Sequence, residues 1–416
     1  MTLLTTHTRP IDAELRARGA GVFPGPGGFY GHLSVGLNQL APTYPQYYSR
    51  GEGARLWDVD GRSFVDAMCA WGPMVLGYAH PDVVAVQQKQ LALGDTLNGP
   101  SPLAVEFAEL LVDTVAHADW VMLSKNGNDA TATAVRVARA ATGKAKVLKA
   151  SRAYHGANDA FTPLPVGVPA EERSNIISFE YNDLATVEAA VAEHDGNVAA
   201  IIATPYQHDG FVDQEIVDPA FARGLRAIAD RIGAVLILDE VRSGFRLDMA
   251  GSWESLGVRP DLTAFSKAIA NGAPLAAVTG IDALKDAAGS IYVTGSFWYS
   301  SAPIAAGIAT LTALRDSDGP GLMRVAGERL REGLYAASAS AGLEVVQSGP
   351  VQMPLLRFVD DPKFEAASLF CATALDAGAF FHPWHNWFLS TAHTDGEVDA
   401  LIDAAAAGFD AVAQAR

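Results

Sequence analysis

The chain has few cysteines and few basic residues for its length. Among its 416 residues only Cys69 and Cys371 are cysteines, too few for a disulfide framework or for a zinc site built on CxxC pairs. We therefore expect two buried thiols in a reducing compartment. Thirty basic residues against 47 acidic ones leave a net charge of −17, and this charge would repel a nucleic acid.

Segments that direct a chain into or across a membrane are also missing. Residues 1–21 lack the apolar central run of a secretory signal, and no stretch of about 18 residues is uninterruptedly apolar. We expect a cytoplasmic protein that binds neither nucleic acids nor membranes. With 49% hydrophobic residues the chain is too apolar to be disordered, and its length suffices for two or three folding units of roughly 150 residues each.

Amphipathic helices alternate with short apolar runs through the middle of the chain. Helical periodicity is clear at residues 101–115 and 219–234. The apolar runs are WVML (120–123), KVLKA (146–150), AAIIAT (199–204), AVLIL (234–238) and LAAVTG (275–280). Because short apolar runs between helices fit strands that are covered on both faces, the pattern predicts an α/β fold with a mainly parallel sheet flanked by helices.

The two ends of the chain predict a smaller α+β part. The segment 55–68 alternates apolar and polar residues around an Asp-Gly pair, which is a strong hairpin signal. GLEVVQSG and MPLLRFVD near the other end are strand-like, and a helix closes the chain. We expect three segments: the N-terminal part of a small domain at 1–60, a large domain at 61–312 and the C-terminal part of the small domain at 313–416.

Side chains able to do chemistry follow several predicted strands, at the edge where open α/β sheets bind ligands. Asp239 follows AVLIL, and Lys267 follows a short TAF run. After WVML the turn SKNGND opens a helix, and the free N–H groups and positive dipole end of such a helix suit a phosphate. After KVLKA, Tyr154 offers an aromatic face. Each feature alone is most often structural, but four at matching strand ends are not an ordinary coincidence.

A phosphate cradle, an aromatic face, a carboxylate and a lysine together describe a pocket for pyridoxal phosphate (PLP). In such a pocket the lysine forms an imine with the cofactor aldehyde, and the acid keeps the pyridine nitrogen protonated. The protonated ring then stabilises the carbanion that forms when the substrate loses its Cα proton. The released lysine can carry that proton as a general base and acid.

Four motifs in this order resemble the class III PLP aminotransferases of fold type I: NGNDATATAVRVARAATGK, AYHG, LILDEVRSGFR and FSKAIANG. Within that class, the branch similar to glutamate-1-semialdehyde aminomutase is the nearest large group. GGFYGH, DWVMLSKNGNDAT, VTGSFWYSSAP and HPWHNWFLSTAHT resemble more closely the fumonisin aminotransferase group, which acts on the amines of long-chain amino-polyols. The resemblance runs from about residue 20 to the C-terminus.

The resemblance implies a set of cofactor-binding residues. Lys267 would carry the cofactor, and Asp239 would hold its ring nitrogen. The remaining contacts would be ring packing by Tyr154 and Val241, and phosphate binding by the backbone of Gly127 and Asn128.

The resemblance also implies a homodimer with shared active sites, in which Ser296 of the second subunit completes the phosphate site. Substrate contacts would come from both ends of the chain and from the segment around Ser296. The expected residues are Tyr30, His32, Trp298 and His385.

The sequence departs from the wider family at three places. The phosphate turn reads Asn-Gly-Asn-Asp at 126–129 instead of Ser-Gly-Thr-Glu, which should keep the backbone cradle. Thr204-Pro205 stands where relatives have Glu-Pro, and whether Tyr206, Gln207 or His208 reaches the cofactor hydroxyl is left open. FYGHLS lacks the arginine with which the aminomutase branch binds the substrate carboxylate.

Other features have competing interpretations. Arg242 and Arg246 could bind a substrate carboxylate, but structural ion pairs are the more common role of such residues. The HxxH formed by His382 and His385 could suggest a metal site, yet an intervening proline disfavours a regular helix through both, so we expect no metal. The aromatic-rich segment around it fits a substrate channel or the core equally well. GPGGFY lacks the third glycine of a dinucleotide fingerprint and follows no strand.

The sequence therefore predicts an aminotransferase that moves an amino group from a primary amine without a nearby carboxylate to a small oxo acid such as pyruvate. A PLP-dependent aminomutase or amino-acid epimerase is the alternative, and it would form its product without an added oxo acid. A relative that binds ligands without catalysis is a third hypothesis, and it would lack the cofactor absorbance.

Overall fold

The computed structural model describes residues 9–25, 28–208 and 211–416. Residues 1–8 of the N-terminal segment and residues 26–27 of the GPGGFY segment lie outside these ranges. The helices are α1 (Pro10–Gly19), α2 (Pro81–Leu91), α3 (Leu103–Thr114), α4 (Gly127–Thr142), α5 (Ala170–Arg173), α6 (Leu184–Glu193), α7 (Pro219–Ile232), α8 (Lys285–Ser290), α9 (Ser301–Asp316), α10 (Gly319–Ser340), α11 (Glu365–Asp376) and α12 (Asp395–Ala415).

The strands fall into one large sheet and several small ones. They are β1 (Tyr48–Glu52), β2 (Arg55–Asp58), β3 (Ser63–Asp66), β4 (Trp120–Ser124), β5 (Lys146–Ala150), β6 (Ile176–Phe179), β7 (Val198–Ala203), β8 (Tyr206–Gln207), β9 (Glu215–Ile216), β10 (Val235–Asp239), β11 (Leu262–Phe265), β12 (Ala276–Gly280), β13 (Val345–Ser348), β14 (Leu355–Phe358) and β15 (Ala379–Phe380).

The large sheet has the order β4-β12-β11-β10-β7-β5-β6. β12 runs antiparallel to both of its neighbours, and the other pairs are parallel. Helices cover both faces of this sheet, and alternate residues of β7 therefore pack in different hydrophobic clusters. Ile202 packs in the same cluster as Ala134 of α4, whereas Ile201 packs in the same cluster as Phe221 of α7. The predicted fold, a mainly parallel sheet flanked by helices, is confirmed.

Local signals explain where the helices that flank this sheet begin and end. The Asp218 carboxylate caps α7 by accepting the Ala220 N–H at 2.7 Å, and a proline occupies the first helical position. Gly233 ends the helix in the left-handed conformation with φ +59°. The predicted helix at 219–234 is therefore present, two residues shorter.

Both ends of the chain meet in a second sheet with the order β1-β2-β3-β15. The hairpin predicted at 55–68 is formed by β2 and β3, with Leu56 opposite Phe64. β15 lies parallel to β3, with Ala379 beside Val65. α11 and α12 pack behind this sheet, and α10 packs on α12. The boundaries proposed at residues 60 and 312 remain predictions.

Some elements differ from expectation. β6 was not predicted, because it lies at the edge of the large sheet and only Phe179 of its four residues is buried. Cys69 and Cys371 are free and buried, as expected. Within the described ranges, no helix is both long enough and apolar enough to cross a membrane.

Candidate active site

A pocket of about 350 Å³ lies at the carboxyl edge of the large sheet. It is lined by the start of α4, the loop after β5, the residues that follow β10 and β11, and His208 after β8. Six residues predicted to bind the cofactor line this one pocket although up to 140 positions separate them. They are Gly127, Asn128, Tyr154, Asp239, Val241 and Lys267.

The start of α4 forms one wall of the pocket. Asn126 caps the helix, and its Oδ1 accepts the Asp129 N–H at 3.0 Å. The N–H groups of Gly127 and Asn128 belong to the first turn, where no intrahelical carbonyl is available to them. A Cβ built on Gly127 would lie 2.6 Å from Val241 Cγ1, so only glycine allows this helix end to approach the strand edge so closely. The geometry fits a phosphate group.

The Asn128 side chain has a separate task. Its Oδ1 accepts the N–H groups of Ala157 at 3.0 Å and Asn158 at 2.8 Å, which holds the loop after β5 against α4. Gly156 lies between these elements with φ +111°, and a Cβ there would be 2.7 Å from Asn128 Oδ1. Tyr154 precedes this turn and is 45% exposed, with its ring on the pocket wall.

Asp239 ends β10 and is held by two hydrogen bonds. Its Oδ1 accepts the Val241 N–H at 3.0 Å, and its Oδ2 lies 2.7 Å from His155 Nδ1. The carbonyl of His155 in turn accepts the Thr131 hydroxyl of α4 at 2.8 Å. His155 thus fixes the carboxylate that faces the pocket. This role of His155 was not predicted from the sequence, although His155 stands next to Tyr154 in AYHG.

Lys267 follows β11 in an unusual backbone conformation. Its φ is +46°, a left-handed value that non-glycine residues seldom adopt. Burial, and then the positive charge of Arg242, lower the pKa of Lys267 to about 7. A lysine with such a pKa is largely neutral just above pH 7 and can act as a nucleophile.

The Lys267 turn is connected to the N-terminal part of the chain through Asn271. The Asn271 Oδ1 accepts the Leu76 N–H at 2.8 Å, and its Nδ2 donates to the Gly77 carbonyl at 2.9 Å. Asn271 is buried and left-handed as well, with φ +43°. The side-chain amide therefore ties the lysine loop to the segment that leads into α2.

Of Tyr206, Gln207 and His208, the three candidates for the contact with the cofactor hydroxyl, His208 lines the pocket. The Tyr206 hydroxyl instead donates to Met353 Sδ at 3.4 Å in a separate apolar cluster, and Gln207 does not line the pocket. His208 Nδ1 is buried and has no hydrogen-bond partner among the described residues. Burial, and then Arg242, hold the pKa of His208 well below its usual range. The residues present thus fit a phosphorylated pyridine with a ring hydroxyl.

Two of the predicted substrate residues lie together beside this pocket. The rings of His32 and His385 pack on Trp71 at 5.3 and 4.9 Å. Burial first, and then the Lys267 charge, lower the pKa of His32. The pKa of His385 is also lowered, by burial and then by Arg242. Trp71 itself was not predicted, and it belongs to a left-handed turn, Cys69–Trp71, in which all three residues have positive φ.

The other predicted contacts lie away from this pocket. Tyr30 is 57% exposed and stacks on Phe29 at 5.7 Å. Trp298 lines a different cavity at the start of α4, together with Asp129 and Arg136. Ser296 is exposed on the same segment. Within one subunit these residues are not brought together with Lys267.

Arg246 departs from the expected ion pair. It is fully buried, and its guanidinium donates to the carbonyls of Gly72 and Leu389, not to a carboxylate of the described chain. In the HxxH segment, His382 Nδ1 accepts a hydrogen bond from the backbone N–H of His385 at 3.1 Å, so this nitrogen already has a partner within the segment. Among residues 9–25, 28–208 and 211–416, no group of three or more His, Cys, Asp and Glu side chains could hold a metal ion.

Comparison with known sequences gives consistent matches. Residues 38–394 match the sequence model of the family described as aminotransferase class-III. An aminopentol aminotransferase from Sphingopyxis macrogoltabida is 44% identical, covering 96% of this chain and 94% of that protein. A glutamate-1-semialdehyde 2,1-aminomutase from an Anaeromyxobacter species is 34% identical, covering 88% of this chain and 91% of that one.

Solved structures show the same similarity. The FumI protein of Sphingopyxis sp. MTA144, solved in its PLP internal aldimine form, superposes with a TM-score of 0.94 at 44% identity, over 97% of this chain and 96% of that one. An ω-transaminase from Sphaerobacter thermophilus superposes with a TM-score of 0.88 at 26% identity, over 98% of each chain.

Proposed function

The chain belongs to the class III aminotransferases, a PLP-dependent family of fold type I, and on that premise we propose the reaction and the role of each site residue. In the proposed reaction, the protein transfers an amino group from a primary amine without a nearby carboxylate, such as an amino-polyol, to a small oxo acid such as pyruvate. The observation that carries this proposal is the meeting of Lys267 and Asp239 in one pocket at the start of α4.

The cofactor, when bound, supplies an electron-poor ring that stabilises negative charge at the substrate carbon. The N–H groups of Gly127 and Asn128 bind its phosphate, with the α4 dipole in support. The Tyr154 ring and the Val241 side chain, which both line the pocket, would pack against the pyridine ring. Asp239 and His208 would supply the remaining contacts to the cofactor ring.

Asp239 and His208 would bind two different polar groups of the cofactor ring. The Asp239 carboxylate, oriented by His155, keeps a proton on the ring nitrogen. The buried Nδ1 of His208 binds the ring hydroxyl, for which Tyr206 and Gln207 are not available. Lys267 Nζ removes the proton from the amine-bearing carbon of the substrate, and its lowered pKa of about 7 suits it to accept and return a proton near neutrality.

The donor site is built from neutral groups. His32, Trp71 and His385 form an aromatic cluster beside the pocket, and the lowered pKa values of both histidines keep their imidazoles uncharged near pH 7. A neutral imidazole can donate a hydrogen bond to a hydroxyl group or accept one from it, but it has no positive charge with which to bind a carboxylate. This chemistry agrees with the name of the 44% identical aminopentol aminotransferase.

We further propose that the protein acts as a cytoplasmic homodimer in which Ser296, and with it Trp298, contributes to the partner's site. The segment that carries Ser296 exposes large aromatic side chains, with Tyr292 at 84% and Phe297 at 65%, and such surfaces usually become interfaces. Ser296→Ala should weaken cofactor binding several-fold, about the value of one hydrogen bond, whereas Ser296→Thr should keep it. Equal cofactor affinity in all three proteins would contradict the proposal.

The reaction is tested by incubating the protein with pyruvate and a panel of amines and measuring alanine. We expect alanine from amino alcohols and other carboxylate-free amines. The same protein without any oxo acid should form no product from glutamate-1-semialdehyde. Product under those conditions, with no alanine from any amine, would instead support the aminomutase alternative, which the 34% identical relative represents.

A further inference from the structure

A permanent positive charge lies beside the reactive lysine. Arg242 follows β10 by three residues and lines the same pocket as Asp239 and Lys267. Among the described side chains on that pocket wall, Lys267 and Arg242 are the only lysine and arginine. Lys267 has a covalent task toward the cofactor, whereas a guanidinium keeps its charge at every accessible pH.

The position of the Arg242 guanidinium is set by the C-terminal part of the chain. Its Nη1 donates to Asn386 Oδ1, and Asn386 Nδ2 is itself fixed by donating to the Trp387 carbonyl at 2.7 Å. Asn386 is buried, so this amide is a rigid support. Arg246, four residues further along the chain, bonds to buried carbonyls and does not line the pocket. The two arginines therefore have different surroundings.

The positive charge of Arg242 acts on ionisable groups on several sides of the pocket. It contributes, after burial, to the lowered pKa values of Lys267, His208 and His385. These three groups come from different elements of the fold, so the guanidinium lies near the space that they share. An anion entering this space would be attracted by the same charge.

The two halves of a transamination make different demands on one pocket. In a 2-oxo acid the carboxylate is bonded directly to the reacting carbonyl carbon. A cation that binds that carboxylate must therefore lie beside the reacting groups, which is the position of Arg242. A carboxylate-free amine has no such group, and the neutral cluster around Trp71 serves it instead.

We propose that Arg242 binds the carboxylate of the oxo-acid amino acceptor and so serves the second half of the reaction and not the first. This rests on the proposed function, and it identifies the acceptor site within it. The planar guanidinium can bind a carboxylate through two parallel hydrogen bonds, which also fixes the orientation of the carbonyl group. Asn386 is the positioning residue for this contact.

A binding experiment tests the contact without turnover. Propionate and propionamide have nearly the same shape, but only propionate is charged at pH 7.5. Titration of the cofactor-loaded protein, followed by NMR line broadening, should show tighter binding of propionate. Arg242→Met should weaken propionate binding by at least roughly tenfold, as expected for the loss of a charged hydrogen bond, and leave propionamide unchanged. Equal binding of propionate to both proteins would overturn the proposal.

Separate half-reactions provide the second test. In Arg242→Met, kcat/KM for pyruvate should fall by roughly 10²-fold, whereas amino loading from the amine donor and reaction with propanal, a carboxylate-free acceptor, should fall much less and equally, because both are affected only by the raised pKa of Lys267. Arg242→Lys should keep part of the pyruvate activity. Arg324→Met, an exposed change on α10, is the matched control.

The possible failures are distinguishable. If Arg242→Met lowers cofactor affinity, or slows both half-reactions and propanal alike, then Arg242 serves the cofactor or the fold, and the proposal is wrong. If the wild-type protein forms no alanine from pyruvate with any amine, the proposed function itself fails. If the wild type uses pyruvate and Arg242→Met uses it equally well, only the role of Arg242 fails.

Discussion

At the scale of single residues, His155 is the clearest positioning residue of the site. It holds Asp239 through a 2.7 Å contact while its backbone is anchored to α4. His155→Ala should lower turnover by about tenfold, since the loss of an orienting hydrogen bond costs roughly 1–2 kcal/mol. Asp239→Asn should cost far more, because the ring nitrogen loses its charged partner.

Absorbance spectra separate these two effects. His155→Ala should retain bound cofactor with a normal Lys267 adduct, whereas Asp239→Asn should shift the cofactor spectrum because the ring nitrogen is no longer protonated. If His155→Ala reacts at the wild-type rate, the contact is structural and does not position Asp239 for the reaction.

The lowered pKa of Lys267 predicts a pH dependence. Only the neutral amine can attack the cofactor, so uptake of PLP by the cofactor-free protein should accelerate as pH rises through about 7 and then level off. Arg242→Met should move the midpoint upward, because removing a neighbouring positive charge favours the charged ammonium. Stopped-flow absorbance measures the rates. A midpoint near the ordinary lysine value of 10.5 would contradict this interpretation.

The sequence could predict those site residues that lie beside the end of a strand or the start of a helix. Lys267 follows β11 closely, Asp239 ends β10 and Gly127 opens α4, so the pattern along the chain already places all three at one edge of the sheet. His155 and Trp71 were missed because their roles depend on partners more than 80 and 300 positions away. No local periodicity records such contacts.

At the scale of elements, the approach of α4 to β10 depends on Gly127. Gly127→Ala would place a Cβ 2.6 Å from Val241 Cγ1, so the helix start must move away from the phosphate. We expect cofactor affinity to fall by at least roughly tenfold, measured by equilibrium dialysis. Adding Val241→Ala should restore part of the affinity by removing the clashing methyl groups. Gly289→Ala, in open space on α8, is the control that should change nothing.

Backbone conformations were the least predictable elements. Cys69, Ala70 and Trp71 all adopt left-handed φ values without a glycine among them. The turn is supported by distant groups: the Cys69 thiol donates to the Phe388 carbonyl at 3.3 Å, and Arg246 binds the Gly72 carbonyl. Tertiary contacts override local preference here, and a pattern read along the chain cannot show this.

At the scale of the whole molecule, the site depends on segments from both ends of the chain. Asn271 joins the Lys267 loop to residues 76 and 77 through two buried hydrogen bonds. Asn271→Gly keeps the left-handed backbone but removes both bonds, so the free energy of unfolding should fall by about 2–4 kcal/mol. Urea denaturation measures this, with Asn98→Gly in an exposed loop as the control. Equal unfolding midpoints would refute the role of this link.

The closing of the small sheet explains why the overall assembly was only partly predictable. Hairpin β2–β3 follows from a local turn signal, but β15 joins it across more than 300 residues and has only two residues. Such a short strand carries little periodicity. Its place is fixed instead by contacts such as the Tyr44 hydroxyl, which donates to the Phe381 carbonyl at 2.7 Å.

The central claim, that Lys267 carries the cofactor, is most directly tested by locating the covalent bond. Borohydride reduction of the PLP-loaded protein makes the lysine–cofactor bond permanent, and peptide mass spectrometry then identifies the modified residue. Lys125 is an internal comparison, because burial lowers its pKa to about 8 and it lies beside the phosphate turn. We predict a pyridoxyl phosphate label on Lys267 alone, absent from Lys267→Ala. A label on Lys125, or an undiminished label in Lys267→Ala, would contradict the account.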